Sequence, residues 1–325
     1  MLKFVQKLLV LALLQVLIPL KASALGILIP AYFSPGTRWT ELNEAARRVP
    51  LIAIMNPNNG PGTSSSSSYA TAINSLGQSG GRVIGYVYSS YTARPLANVQ
   101  ADIDRYFSFY NIDGIFIDEM TNDSTAAHVD YYEALYQYIK GKNPAWIVVG
   151  NPGINASAAY LTRPTVDTLV TFENNSGYET NVPDVWTKTQ APTAISHLCY
   201  AVADATTMTN YVNIAVSRNA GHIYVTDDSG SNPWDRLPTY WNAEIGLIES
   251  INQEAARQKP AVLKLSGTNG NLAVIVNGSA GRYVLQSSNN FTNWQPTATN
   301  VSATGKFNFQ VPQTNSPAQS FRTQQ

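Results

Sequence analysis

The stretch GIFIDE, residues 114–119, decides the fold. Its first four residues are apolar and rich in branched and aromatic side chains, which is typical of a strand that is buried on both faces. The two acids that follow are costly to place beside a core unless they are paired, hydrated or used in chemistry. In a barrel of alternating strands and helices, the carboxyl ends of the strands carry the active site. The stretch therefore predicts one strand of such a barrel, with Asp118 and Glu119 at its functional end.

Seven further strand-like segments occur along the chain, and helical stretches alternate with them. The predicted strands cover residues 26–29, 51–55, 82–87, 114–117, 146–149, 168–172, 194–200 and 222–225. The predicted helices cover residues 39–48, 69–77, 96–110, 127–140, 157–161, 182–187, 206–217 and 240–256. Eight such units over about 235 residues predict an α/β fold of the (β/α)₈ TIM barrel type, which typically needs roughly 250 residues. An open doubly wound sheet shares the alternation, but no Gly-x-Gly-x-x-Gly and no phosphate loop follows a strand.

The sequence pattern changes after Pro260. Residues 272–276, 283–287 and 306–311 are predicted as short strands, separated by Gly, Asn and Ser, and nothing helical follows. We therefore expect a barrel domain over residues 25–259 and a small C-terminal all-β domain, sandwich-like, over residues 260–325.

The N-terminus has the pattern of a secretory signal peptide. Two lysines precede an apolar run over residues 8–20, and Ala22-Ser23-Ala24 offers small residues for cleavage. We expect residues 1–24 to be removed and the protein to be secreted, with no membrane span after cleavage; an uncleaved anchor is the alternative. The single cysteine, Cys199, lies in an apolar segment, where inert packing is expected.

The composition favours an uncharged ligand. Lys plus Arg and Asp plus Glu number 21 each, and no basic stripe indicates nucleic acid. Only 13% of residues are charged, whereas Tyr contributes 18 and Trp 6. Carbohydrate fits such a surface, although composition alone favours simply a secreted protein with a polar surface. We expect a monomer that needs no cofactor.

The predicted strand ends are dense in carboxylates, amides and phenols and nearly free of Lys and Arg. Tyrosine rings pack on the apolar faces of sugars, and Asn and Asp bond their hydroxyls. Glycosidic hydrolysis needs two carboxyl groups in different protonation states, and close carboxyl groups separate each other's pKa values. The candidate substrate-binding residues at these strands are Tyr32, Asn56, Tyr86, Tyr88, Asn151 and His197. The candidate catalytic residues are Asp118, Glu119 and Glu173.

Each candidate also has a structural interpretation. Asp118 alone could be an acid bonded to a neighbouring loop, whereas its combination with Glu119 and Glu173 favours function. His197 lies within its strand and not at the end, which favours a core histidine over a catalytic one. Asn56 and Asn151 each precede a proline and could form plain turns. Carboxylates could also bind a metal, but no spaced set of His, Cys and Asp ligands stands out.

Four motifs occur in an order that resembles the spherulin-4, or spherulation-specific family 4, proteins. They are IPAY at residues 29–32, MNPNNGPG at 55–62, GYV at 85–87 and GIFIDE at 114–119. The resemblance covers roughly residues 26–256 and leaves the C-terminal module outside. It implies a (β/α)₈ barrel and an endo-acting glycoside hydrolase of galactosaminogalactan, an α-1,4-linked polymer of galactose and N-acetylgalactosamine.

The resemblance also implies which acids are catalytic. Asp118 and Glu119 match inside a long motif, and Glu173 matches by its context TFEN at residues 171–174. Which of them is the acid and which the nucleophile or base stays open from the sequence. Two other functions also stay open: a non-catalytic sugar-binding or matrix protein on the same barrel, and a metal-dependent hydrolase or deacetylase.

Overall fold

The computed structural model describes residues 24–257 and, beyond them, residues 262–268, 271–278, 281–289, 293–302, 304, 306–312 and 320–324. The predicted signal peptide lies, apart from its last residue, outside this range and stays a prediction. The chain divides into two compact units, one of residues 23–252 and one that includes residues 253–325. The predicted domain boundary after residue 259 falls between described segments and also stays a prediction.

The first unit is a closed parallel barrel, so the predicted fold class is confirmed. Eight strands pair in chain order as neighbours in one sheet. They are β1 (Ile27–Ala31), β2 (Leu51–Met55), β3 (Arg82–Tyr88), β4 (Gly114–Asp118), β5 (Ile147–Gly150), β6 (Thr168–Asn174), β7 (Ile195–Cys199) and β8 (His222–Val225). Gly26 closes the ring, because its N–H donates to Gly221 O at 2.8 Å and its carbonyl accepts from Ile223 N–H at 3.0 Å.

Helices surround the strands and explain why the strand sequences are mostly apolar. Every residue of β1, β2 and β7 is buried, since one face of each strand packs into the barrel and the other against helices. The helices are α1 (Thr37–Ala46), α2 (Ser67–Gln78), α3 (Leu96–Phe109), α4 (Ala126–Lys142), α5 (Ala159–Thr162), α6 (Ala205–Ser217) and α7 (Trp241–Arg257).

The predicted helix at residues 182–187 is wrong. This connection contains two 3₁₀ turns instead, Val185–Thr189 and Pro192–Ala194. Proline at 183 and 192 removes backbone donors, and the β-branched residues between them have low helix propensity. The link from β6 to β7 is consequently an irregular loop.

One close contact fixes α3 against the strand that carries Tyr86. A Cβ atom at Gly85 would lie 2.7 Å from the ring of Tyr106, so only glycine leaves room for this ring. Tyr106 is fully buried, and its hydroxyl donates to Met55 O at 3.2 Å. The glycine of the GYV motif therefore has a packing role next to a candidate site residue.

The second unit contains two three-stranded antiparallel sheets, which confirms the small all-β part of the predicted fold. The strands are β9 (Val262–Thr268), β10 (Asn271–Asn277), β11 (Gly281–Ser288), β12 (Gln295–Ser302), β13 (Lys306–Pro312) and β14 (Ser320–Gln324). One sheet has the order β13-β10-β9 and the other β12-β11-β14. Val274, Val276, Tyr283, Leu285 and Phe309 from the two sheets form one buried cluster.

Two further expectations concern single features of the barrel. Cys199 is fully buried and free, and burial raises the pKa of its thiol, as expected for an inert packing residue. In the part of the chain that the structure describes, we find no helix with the length and apolar character that a membrane crossing requires.

A buried acid in α7 makes the stability of the barrel depend on pH. Glu244 is 0% exposed, and its Oε1 accepts from Val225 N–H at 2.9 Å, at the end of β8. Its Oε2 has no hydrogen-bond partner, and burial raises the pKa of this carboxyl well above its ordinary value. The folded chain thus binds this proton more tightly than the unfolded chain does. The contribution of protonated Glu244 to the free energy of unfolding is complete at low pH and is lost as pH rises toward the pKa of the folded chain.

We expect Glu244→Gln to remove this dependence, because glutamine keeps an acceptor for Val225 N–H and never ionises. At pH 8 its melting temperature should exceed that of the wild type by about 2–4 °C, and at pH 4 the two should nearly coincide. Thermal melts followed by circular dichroism between pH 4 and pH 8 measure the gap. A gap that does not change with pH would show that the pKa of Glu244 is the same in the folded and the unfolded chain, which would contradict the effect of burial.

Candidate active site

The carboxyl end of β4 places Asp118 between two neighbouring strands. Its Oδ2 accepts from the hydroxyl of Tyr86 on β3 at 2.9 Å. Its Oδ1 accepts from Nδ2 of Asn151, the residue after β5, at 2.8 Å. Parallel pairing of β3, β4 and β5 brings these three side chains to one rim. The carboxyl group is thus held from both sides.

Asn151 also binds the second candidate acid. The same Nδ2 donates to Oε2 of Glu173 on β6 at 2.5 Å, and an amide nitrogen carries two hydrogens for two such acceptors. The two carboxyl oxygens both lie within 2.8 Å of one nitrogen and are therefore less than twice that distance apart. The main chain of Glu173 is fixed as well, since its N–H donates to Gly153 O at 2.8 Å. Asn151 itself is buried, which leaves its amide little freedom to move.

The surroundings give these two acids different proton affinities. Burial, followed by the charge of Asp118, raises the pKa of Glu173 to about 7, against which it has the single bond from Asn151. Burial also raises the pKa of Asp118, but the Glu119 N–H, Tyr86 and Asn151 all favour its charged form. Near neutral pH the arrangement therefore suits a protonated Glu173 beside a charged Asp118.

Glu119 has a different environment from the other two candidate acids. It adopts a left-handed backbone conformation with φ of 53°, which is rare for a residue with a side chain. Its Oε2 accepts from Ser90 Oγ at 3.0 Å, and its main-chain oxygen accepts from Tyr91 N–H at 2.7 Å. Glu119 is consequently bound to the loop after β3 and not to Asn151. Among the residues described, no group of three His, Cys, Asp or Glu side chains has an arrangement that could hold a metal ion.

Two of the three candidate tyrosines form an aromatic wall beside the acids. The ring of Tyr32, which follows β1, meets Tyr86 edge-on with 5.6 Å between ring centroids. Tyr86 in turn stacks on Phe116 at 6.2 Å. The third, Tyr88, has a different neighbour, because the guanidinium of Arg94 lies over its ring at 4.3 Å. Stacking and burial keep Tyr32 and Tyr86 in place, so the wall is rigid.

An open cleft of about 530 Å³ lies against this wall. Four of the predicted residues line it: Tyr32, Asn56, Tyr86 and Glu173. The sequence interpretation did not assign several others, namely Asn58, Asn59, Tyr200 and the loop of residues 230–234. Asn58 and Asn59 belong to the MNPNNGPG motif, and the loop contains Asn232 and Trp234 shortly after β8, so both carry a recognisable signal.

Asn56 combines a turn with a place in the cleft wall. Its Oδ1 accepts from Gly60 N–H at 2.8 Å, which closes the loop of the motif. Both interpretations offered by the sequence therefore describe the same residue.

The structure corrects the prediction that His197 binds substrate. The side chain is 1% exposed within β7, and its Nδ1 bonds the hydroxyl of Tyr178 at 2.7 Å. Burial lowers its pKa to about 3, so the ring is neutral. The residue does not line the cleft and is a core histidine, the interpretation that its position inside the strand favours.

The proximity of the two acids can be measured without a substrate. In Asp118→Asn the neighbouring charge is removed, so the pKa of Glu173 should fall below about 7 while burial keeps it above 4.5. Carbon-detected NMR titration of glutamate-labelled protein measures this value. Glu119→Gln is the matched control and should leave the titration of Glu173 unchanged. An unchanged pKa in Asp118→Asn would contradict the bridged geometry.

The sequence and the fold resemble those of known proteins. The family model described as spherulation-specific family 4 matches residues 26–248. Spherulin-4 of Physarum polycephalum is 35% identical over 239 residues, which is 70% of each sequence. The crystal structure of Aspergillus clavatus Sph3 in complex with GalNAc matches with a TM-score of 0.61 and 22% identity, over 70% of this chain and 99% of that one. At that identity the structural match shows the shared barrel fold.

Proposed function

The chain belongs to the spherulation-specific family 4, and from this premise we propose that it is a glycoside hydrolase that cleaves internal bonds of a polysaccharide. The observation that carries the proposal is the bridge from Asp118 through Asn151 to Glu173. It supplies two close carboxyl groups, one of which, Glu173, has a pKa near 7 and lines an open cleft. Those are the groups that glycosidic hydrolysis requires.

The two acids can divide the reaction between them. Glu173 in its protonated form gives its proton to the leaving glycosidic oxygen, while the charged Asp118 attacks the anomeric carbon from the other side and forms a glycosyl–enzyme ester. Glu173, now ionised, then takes a proton from water, and this water displaces Asp118 from the sugar. Tyr86 and Asn151 each donate one hydrogen bond to Asp118 and keep it oriented for attack.

The spacing of the acids favours retention of configuration. Retaining enzymes place their carboxyl groups roughly 5–5.5 Å apart, and inverting enzymes need roughly 6.5–9.5 Å to admit a water molecule. The oxygens of Asp118 and Glu173 both lie within 2.8 Å of one amide nitrogen, so their separation fits the shorter distance of retaining enzymes.

We further propose an N-acetylgalactosamine-containing, galactosaminogalactan-like polymer with α-1,4 linkages as the substrate. The cleft wall offers aromatic rings and amides, which suit a neutral sugar. The solved barrel of Sph3 carries GalNAc, which is the sugar expected from the motif resemblance. We retain export as a proposal from the N-terminal sequence pattern. We also retain a monomer as a proposal.

Hydrolysis is tested by incubating the purified chain with galactosaminogalactan, its deacetylated form and unrelated exopolysaccharides, and reading reducing ends and product masses. Asp118→Asn and Glu173→Gln should each lower the turnover by about 10²–10⁴-fold, because each removes one of the two reacting groups. Glu119→Gln should lower it by less than about tenfold, since Glu119 bonds Ser90 and not Asn151.

Glu249→Gln is the control variant for these substitutions. Its carboxyl pairs with Arg48 on the outer surface of the barrel, where an ion pair is worth little, and its activity should equal that of the wild type. Binding of a polysaccharide without release of reducing ends would favour the non-catalytic sugar-binding function instead.

The stereochemistry is a separate prediction. Proton NMR spectra recorded in the first minutes of cleavage should show the α anomer at the new reducing end, and the β anomer should grow only later by mutarotation. This follows because two displacements at the anomeric carbon restore the original configuration. A β anomer that appears first would show single displacement by water and would remove the nucleophile role of Asp118.

A further inference from the structure

The loop after β3 contains an unusual left-handed turn. Ser90, Tyr91 and Thr92 have φ angles of 46°, 53° and 73°. Only glycine adopts this region freely, and other residues visit it as single positions. Three successive residues with side chains persist there only if the surroundings enforce it, and such segments concentrate at functional sites.

The candidate active site itself enforces this turn. The N–H of Tyr91 donates to Glu119 O at 2.7 Å, and Ser90 Oγ donates to Glu119 Oε2 at 3.0 Å. The N–H of Ser89 donates to Asp118 O at 3.0 Å. The turn is therefore bonded to the main chain of both acids that end β4. Its position relative to Asp118 is fixed by the backbone and does not depend on a mobile side chain.

The turn presents one aromatic ring to solvent. Tyr91 is 62% exposed, although a tyrosine at such a place could fold back onto the rim. The other tyrosines of the rim have ring partners: Tyr32 has Tyr86, Tyr88 has Arg94, and Tyr200 has Trp234. Among the contacts of the described residues, none covers the ring of Tyr91, and the residue does not line the cleft.

We propose that Tyr91 is a sugar-stacking platform, a second binding site outside the cleft for the polysaccharide chain that lies across Asp118 and Glu173. This inference rests on the proposed function, because an enzyme that cuts within a polymer must hold sugars on both sides of the cleaved bond. Because Tyr91 does not line the cleft, its ring is available to a sugar outside the cleft. The backbone that carries the ring is held before binding, so a sugar that stacks on Tyr91 has to order only the side chain. The apolar face of a pyranose is the chemistry that a single exposed phenol ring recognises.

The test compares a polymer with a short substrate. Tyr91→Asn removes the ring but keeps a residue that tolerates the left-handed conformation, and Tyr91→Phe keeps the ring. On galactosaminogalactan, Tyr91→Asn should raise KM by about tenfold. On an N-acetylgalactosamine trisaccharide, the same substitution should leave KM nearly unchanged. Tyr91→Phe should keep KM close to the wild-type value. Phe107→Ala is the matched control, because Phe107 is 51% exposed on helix α3 and should leave KM unchanged.

A binding assay separates this inference from the proposed hydrolysis. Electrophoresis through gels that contain galactosaminogalactan measures retardation of Glu173→Gln with and without Tyr91→Asn, and thermal melts confirm that each variant is folded. Weaker retardation with Tyr91→Asn supports the platform even if the wild type releases no reducing ends. Equal retardation and an equal KM on the polymer overturn it, even if hydrolysis is observed. If the polysaccharide does not retard protein that keeps the wild-type Tyr91 at all, the platform is overturned as well.

Discussion

The amide of Asn151 is the contact on which the chemistry of this barrel depends. One nitrogen donates to Asp118 and to Glu173, so a single neutral side chain brings two acids from β4 and β6 together. Without such a donor, two buried carboxyl groups at this spacing would repel each other when both are charged. With it, the pair shares a donor, and burial leaves Glu173 with a pKa of about 7. The bridge therefore positions the acids, and the further donors to Asp118, Tyr86 and the Glu119 N–H, separate their proton affinities.

This contact depends in turn on the closed parallel sheet. Asn151 follows β5, between the strands that carry the two acids, and Tyr86 approaches Asp118 from β3 on the other side. Four consecutive strands thus supply four side chains to one rim, each at the carboxyl end or next to it. Buried strands and the contact of Tyr106 with Gly85 hold that order, so the geometry of the site is a property of the core. A loop-built site of the same residues would lack this rigidity.

The barrel could be predicted from the sequence because its strands are short, apolar and separated by helical periodicity. Residues 51–55 and 222–225 were predicted with the bounds that β2 and β8 have. Strand β12 was missed because its sequence, QPTATNVS, is polar and mostly exposed and shows no apolar alternation.

The acids at the strand ends could be predicted as well, since the rim of a barrel collects them. The role of Asn151 could not, because a hydrogen bond shared between β4 and β6 depends on three-dimensional spacing. His197 shows the same limit, as its partner Tyr178 comes from a different element.

Backbone strain marks the same rim that the side chains define. Among the described residues, seven that are not glycine have positive φ, and six of these follow the carboxyl ends of strands. They are Asn59, Ser90, Tyr91, Thr92, Glu119 and Ala201. Left-handed conformations cost roughly 1–2 kcal/mol each for such residues, so their concentration on one face is not expected from folding alone. Glu119 and the turn at Tyr91 stabilise each other through their hydrogen bonds, which allows both to persist. The rigid core therefore supports a strained rim, and the conformations at that rim fix the backbone from which the acids and the exposed ring of Tyr91 project.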